Sequence, residues 1–170
     1  MARYSATWSA MTSPAVADGA SMTANQFVAL QGGGATSMHR ISEVYLGGEA
    51  PSTSTVAMMV LALDSVVGVT AIGAGTQNAK VALMDITSTA PATAPVIIGT
   101  STTTPQRKAT GHLLHLTLNA YGGIARWQAR HGEEITTYSA AANLGECSIS
   151  QFTGGNASAL TSGHIHFEVV

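Results

Sequence analysis

Charge is scarce in this chain of 170 residues, where only 9% are Asp, Glu, Lys or Arg. An ordinary soluble domain carries roughly 25%. Seven Lys and Arg against nine Asp and Glu give a formal charge of −2 and a pI near 6.3. A nucleic-acid binder that works by displacing counterions is thereby excluded, since it needs a clustered excess of cations. Cysteine is scarcer still. With Cys147 alone, an internal disulfide and a four-cysteine zinc site are both impossible. Glu146 beside it supplies the wrong field for a reactive thiolate, so the expected role is that of a small buried apolar residue. Long apolar runs are missing too. The most apolar segment, Val56 to Ile72, is broken by Asp64, Ser65 and Gly68. It falls short of the roughly 20 residues a bilayer-spanning helix needs, so it reads as buried strand and no membrane partner is expected. The first 20 residues lack the continuous apolar stretch of a signal peptide.

What remains is rich in Ala, Thr, Ser, Gly and Val, with hydrophobic residues at 45%. That content is enough for a core and argues against disorder, and the length fits one domain. Residues 1–23 sustain neither a 3.6- nor a 2-residue period, and Tyr4 and Trp8 are their only large side chains. They read as an N-terminal arm that docks onto its own domain or onto a neighbour. Residues 24–170 read as short strands punctuated by glycine. Phe27 to Leu30, Ile41 to Leu46, Thr55 to Leu63, Lys80 to Ile86 and Val96 to Ile98 have strand character. Gly32 to Gly34 is a break, and Thr87 to Pro95 and Thr100 to Pro105 are linkers.

Alternation is cleanest in the C-terminal half. Leu114, Leu116 and Leu118 share one face, with Leu113, His115 and Thr117 on the other. Ala125 and Trp127 oppose Ile124 and Arg126, and Gly132-Glu133 turns the chain into Ile135 to Tyr138. Cys147, Ile149 and Gln151 alternate with Ser148, Ser150 and Phe152. Ile165, Phe167 and Val169 alternate with His164, His166 and Glu168. Runs of this kind at roughly 10–15-residue spacing predict an all-β fold, a single jelly-roll or β-sandwich domain of eight to ten strands.

The strongest chemical signal is His164-Ile165-His166-Phe167-Glu168. On a strand its two imidazoles and carboxylate share one face in steps of roughly 6–7 Å, and such a set can hold a divalent metal. Cupins, which are metal-dependent jelly rolls, use His-x-His followed a few residues later by Glu. Their motif lies inside the chain with a further His on a later strand, whereas here only Val169 and Val170 follow. A third His from His112, His115 or His131 has no motif to place it. The reading preferred is a polar strand face at a subunit junction or in solvent, with no metal, cofactor or catalytic residue. His112 and His115, three apart, are expected on opposite faces. His39 and Arg40 are expected solvated at a strand edge, and Glu133 and Glu134 in a turn. Gly32 to Gly34 lacks the Lys-Ser/Thr of a phosphate loop, and no Ser sits in Gly-x-Ser-x-Gly. Arg126, Trp127 and Arg130 combine residue types that anchor protein interfaces.

The run Leu118-Asn119-Ala120-Tyr121-Gly122-Gly123-Ile124-Ala125-Arg126-Trp127, with Gly132-Glu133-Glu134, resembles the head decoration, or cement, proteins of tailed bacteriophages. So do Gly145 to Ser150 and Ser162 to Glu168. The resemblance implies a jelly roll that assembles as a homotrimer on the outer surface of the virion capsid and clamps copies of the major capsid protein. Tyr4 and Trp8 on the arm, with Arg126, Trp127, Arg130, His164 and His166, are the expected subunit or capsid contacts. A lattice protein of this sort tolerates sparse charge, and the missing basic cluster fits a position away from the packaged genome. Two other roles share the fold: a head-fibre or receptor module reading glycans, for which 5% aromatic content is meagre, and a small cupin-like enzyme.

Overall fold

The computed structural model describes residues 2–13, 26–30, 38–50, 59–67, 80–85, 96–98, 106–107, 111–138, 144–152 and 159–170. Among these there is no helix, and the fold is all-β. In chain order the strands are β1 (Ala2–Ser13), β2 (Gln26–Leu30), β3 (Met38–Gly48), β4 (Met59–Val67), β5 (Lys80–Leu83) and β6 (Val96–Ile98). They continue as β7 (Gln106–Arg107), β8 (Leu114–Leu118), β9 (Ile124–Gln128), β10 (Ile135–Tyr138), β11 (Leu144–Phe152) and β12 (Ala159–Val169).

Every pairing is antiparallel. One sheet runs β10-β3-β12-β1-β5, and the other β6-β2-β11-β4-β7. Each has a sixth strand: β9 shares an edge of β3 with β10, and β8 shares an edge of β4 with β7. Successive strands β1 to β4 fall alternately in the first and second sheet. Later in the chain β8 and β11 belong to the second sheet, and β9, β10 and β12 to the first.

Side chains from both sheets meet in one core. Tyr4, Ala6, Trp8, Ile41, Val44, Leu46, Ile165 and Phe167 come from the first, and Leu63, Leu118, Cys147 and Ile149 from the second. Tyr4 stacks on Phe167 with ring centroids 5.5 Å apart. The alternations expected in β8, β9 and β12 are present, with Leu118, Ile165 and Phe167 buried and His115, Ile124 and Arg126 exposed. In β11 residues 147–152 are all buried, so both of its faces are covered. Cys147 is buried, as expected.

The N-terminal segment differs from the expected arm. Residues 2–13 form an inner strand, with β12 on one edge and β5 on the other. Tyr4, Ala6 and Trp8 point into the core while Arg3, Thr7 and Ser9 are exposed. Tyr4 and Trp8 therefore spend their surface inside their own chain and are not on display for a neighbour. The period was hidden because Ala6 is too small to register between them. Residues 14–23 of the expected arm, Gly32 to Gly34 and both Thr/Ala/Pro linkers lie outside the described residues.

His39 is a second correction. It is fully buried, and neither ring nitrogen has a hydrogen-bond partner. The strand is not at an edge there, since Val169 of β12 and Thr137 of β10 flank it. Its ring meets Phe167 edge-on at 5.2 Å. Burial pushes its pKa down from 6.5 to about 4, so the native state holds it neutral. Below pH 6.5 the unfolded chain takes up a proton that the native chain refuses until about pH 4, and stability falls across that window. Urea titrations should lose up to about 3 kcal/mol from this residue between pH 7 and 4, and His39→Leu should flatten that slope.

A glycine sets the packing of Trp8. Gly163 lies opposite Trp8 in the β1–β12 register, and a Cβ there would sit 2.6 Å from Trp8 Cζ2 and collide with the Tyr45 carbonyl oxygen. Gly163→Ala should cost about 1–3 kcal/mol in urea unfolding, as overpacked cores do.

Candidate functional site

Three strands bring their outward side chains together on the first sheet. In β12 the inward residues are Ile165 and Phe167, which leaves His164 and His166 on the outer face. Facing them on β3 is Glu43, held there by an irregularity of the backbone. His166 pairs with Glu43 and Phe167 with Ile41, so Ser42 is an extra residue on β3, a β-bulge. The bulge changes the phase of the strand: His39 and Ile41 point inward before it, and Val44 and Leu46 after it. Re-aiming of side chains is what such bulges do. The Ser42 carbonyl accepts a hydrogen bond from Ala129 N at 2.9 Å, and its hydroxyl donates to the His166 carbonyl at 3.3 Å.

Glu43 is 7% exposed although it lies on the outer face, because its neighbours close over it. Arg126 of β9 donates from Nε to Oε1 at 3.1 Å and from Nη2 to Oε2 at 2.9 Å. His164 Nε2 stands 2.9 Å from Oε1, and His166 Nδ1 3.9 Å from Oε2. The two imidazoles stack at 4.2 Å, and Tyr45 stacks on His164 at 5.1 Å. The Arg126 hydrogen bond is the main reason the Glu43 carboxyl titrates below its ordinary range, with His164, the Arg126 charge and His166 adding to it and burial opposing it. Partial burial, helped by the neighbouring His164, pushes His166 below its usual value. Held ionised by a guanidinium, Glu43 is a poor proton donor. The arrangement offers ligands more readily than acid–base chemistry. Beside it lies an open polar depression of about 350 Å³, bordered by Arg3, Glu43, Gln128, His166 and Glu168.

Of the residues singled out from the sequence, Arg126, His164 and His166 belong to this cluster. Trp127 turns to the other face and packs against the core, while Arg130 is exposed at the turn after β9, its carbonyl accepting from Glu133 N. Glu168 shares the outer face of β12, yet the carboxylate at ligand distance is Glu43. Glu43 was missed, although Ile41, Val44 and Leu46 are spaced one residue out of strict alternation, as a bulge requires. His112 and His115 also depart from expectation: their rings stack at 5.6 Å, because β8 begins only at Leu114 and strand alternation does not reach His112.

The run Asn119 to Gly123 forms the crossing from β8 to β9. Asn119 Oδ1 accepts from Tyr121 N at 2.8 Å and Asn119 O from Gly123 N at 2.9 Å, while Gly122 takes φ +95°. The turn docks on the end of β3, where Gly48 N donates to Gly123 O and Ala50 N to Ala120 O. It leaves Tyr121 and Ile124 exposed. No protein-family model, curated protein or solved structure matches the chain.

Removing Arg126 strips Glu43 of its strongest partner. In Arg126→Ala the Glu43 carboxyl should titrate at higher pH than in the parent, followed by side-chain carboxyl NMR. An unchanged midpoint would show that the guanidinium does not hold the carboxylate in solution.

Proposed function

We propose that this chain is a non-catalytic structural protein of a virion, a decoration protein that sits on the outer surface of a phage capsid and bridges copies of the major capsid protein. The fold we assign to it is a jelly roll. Read as two layers of four strand positions, the order is β1-β12-β3 with β9 and β10 sharing the fourth position, and β2-β11-β4-β8. Strands β1 to β4 pass alternately from one layer to the other, and β8 lies beside β4 in the second layer. The last two strands insert between the first four, β12 between β1 and β3 and β11 between β2 and β4. That order is what two interlocked Greek keys produce. In this reading β5 and β6 each widen a layer by one strand.

The observation that carries the functional reading is the β8–β9 crossing and its flank. Its residues are those of the cement-protein resemblance, and they present Ile124, 63% exposed, and Tyr121, 43% exposed, beside the outward Arg126. Large apolar side chains next to an arginine are suited to a protein contact, not to water. Scarce charge supports the same conclusion, because a lone monomer depends on charge for solubility. Assembly as a homotrimer would cover strand edges and let three weak capsid contacts add through avidity.

Purified protein mixed with undecorated heads of the parent phage should bind saturably and raise the temperature at which the heads rupture. Ile124→Asp, with an unchanged circular dichroism spectrum, should bind fewer copies. Absence of binding, together with sedimentation at the 17.3 kDa monomer mass, would reject the reading.

A further inference from the structure

We propose that Glu43, His164 and His166 form a binding site for one divalent first-row transition cation, with Arg126 as the cation's competitor. Among the described residues these three offer ligand atoms that all lie within 4.8 Å of one another. Metal–ligand bonds of roughly 2.0–2.2 Å place neighbouring ligands roughly 2.8–3.6 Å apart at right or tetrahedral angles. The 2.9 Å from His164 Nε2 to Glu43 Oε1 falls within that spacing, and the 3.9 Å from His166 Nδ1 to Oε2 lies just beyond it. Shifts of about 1 Å would close the set around an ion, and both His side chains are 25% exposed.

The framework is rigid where it needs to be. His164 and His166 are two apart on one inner strand, and Glu43 is the register partner of His166 on the next. Such placement on paired strands holds ligands more accurately than loops do. Two imidazoles and one carboxylate select zinc, nickel, cobalt, copper or iron over magnesium or calcium, which prefer all-oxygen shells. The depression beside His166 and Glu43 supplies a path from water.

Arg126 decides the strength of the site. Its guanidinium takes both oxygens of Glu43, and its positive charge repels a cation placed beside them. The side chain is 56% exposed, so it can swing into water when an ion arrives. A cation there would tie β3 to β12, and three protein ligands leave further coordination positions open to water or to a donor from another molecule. This site does not depend on the capsid reading.

The test uses the untagged full-length chain, freed of metal and titrated calorimetrically with zinc chloride and nickel chloride at pH 7.5. One ion per chain is expected, with affinity at least tenfold higher in Arg126→Ala and at least a hundredfold lower in His166→Ala and in Glu43→Gln. A hundredfold excess of zinc over its Kd should raise the parent's Tm by about 5–10 °C, whereas magnesium should not. No stoichiometric uptake by either the parent or Arg126→Ala would overturn the proposal. So would uptake that survives His166→Ala and is lost in His112→Ala, since that places the ion on the other histidine pair.

Discussion

Strand β12 is hydrogen-bonded along both edges, to β3 on one side and β1 on the other. A strand held in this way has no freedom to slide. Side chains alternate with period two, so a slip of one residue would put His164 and His166 into the core and Ile165 and Phe167 into water. Burying two imidazoles without partners while exposing two large apolar side chains costs several kcal/mol in each direction. The core and the polar cluster are thus two readings of one alternation.

Much of this alternation was legible in advance. His164 to Val169 announce their two faces plainly, as do Leu114 to Leu118, because large apolar residues occupy every inward position. Where the inward set includes a small residue, as with Ala6 between Tyr4 and Trp8, the period fades and an inner strand looks like an irregular arm. Pairing on both edges of β1 is a long-range property, set by β5 and β12, and no local pattern in residues 2–13 reports it.

The cluster was half legible for a related reason. Two histidines two apart declare a shared face by themselves. Their acid comes from a residue more than a hundred positions away, and only the bulge at Ser42 aims it correctly. Strict alternation through Ile41 would have turned Glu43 toward the core. Bulges are written in the sequence only as a missed beat in the apolar rhythm, easily taken for a strand end. His39 shows the same effect on the near side of the bulge: a polar residue before the missed beat falls on the inward face.

A protein with so few charges makes the grouping of Glu43, Arg126, His164 and His166 meaningful in itself. Ion pairs covered by protein contribute little net stability, because desolvation offsets their attraction, and apolar replacements often do as well. What they add is discrimination. The apolar pattern of β3 and β12 forbids a slip by one residue but tolerates a slip by two, which restores the same faces. A two-residue slip, however, would set either Glu168 or His164 opposite Glu43 in place of His166 and dismantle the present set of contacts around a largely buried carboxylate. Arg126 imposes the same condition on β9 through its two hydrogen bonds to Glu43. The polar cluster thus locks the register of three strands at the one shift that hydrophobic alternation cannot detect, and the bulge that creates it also fixes which face each half of β3 presents.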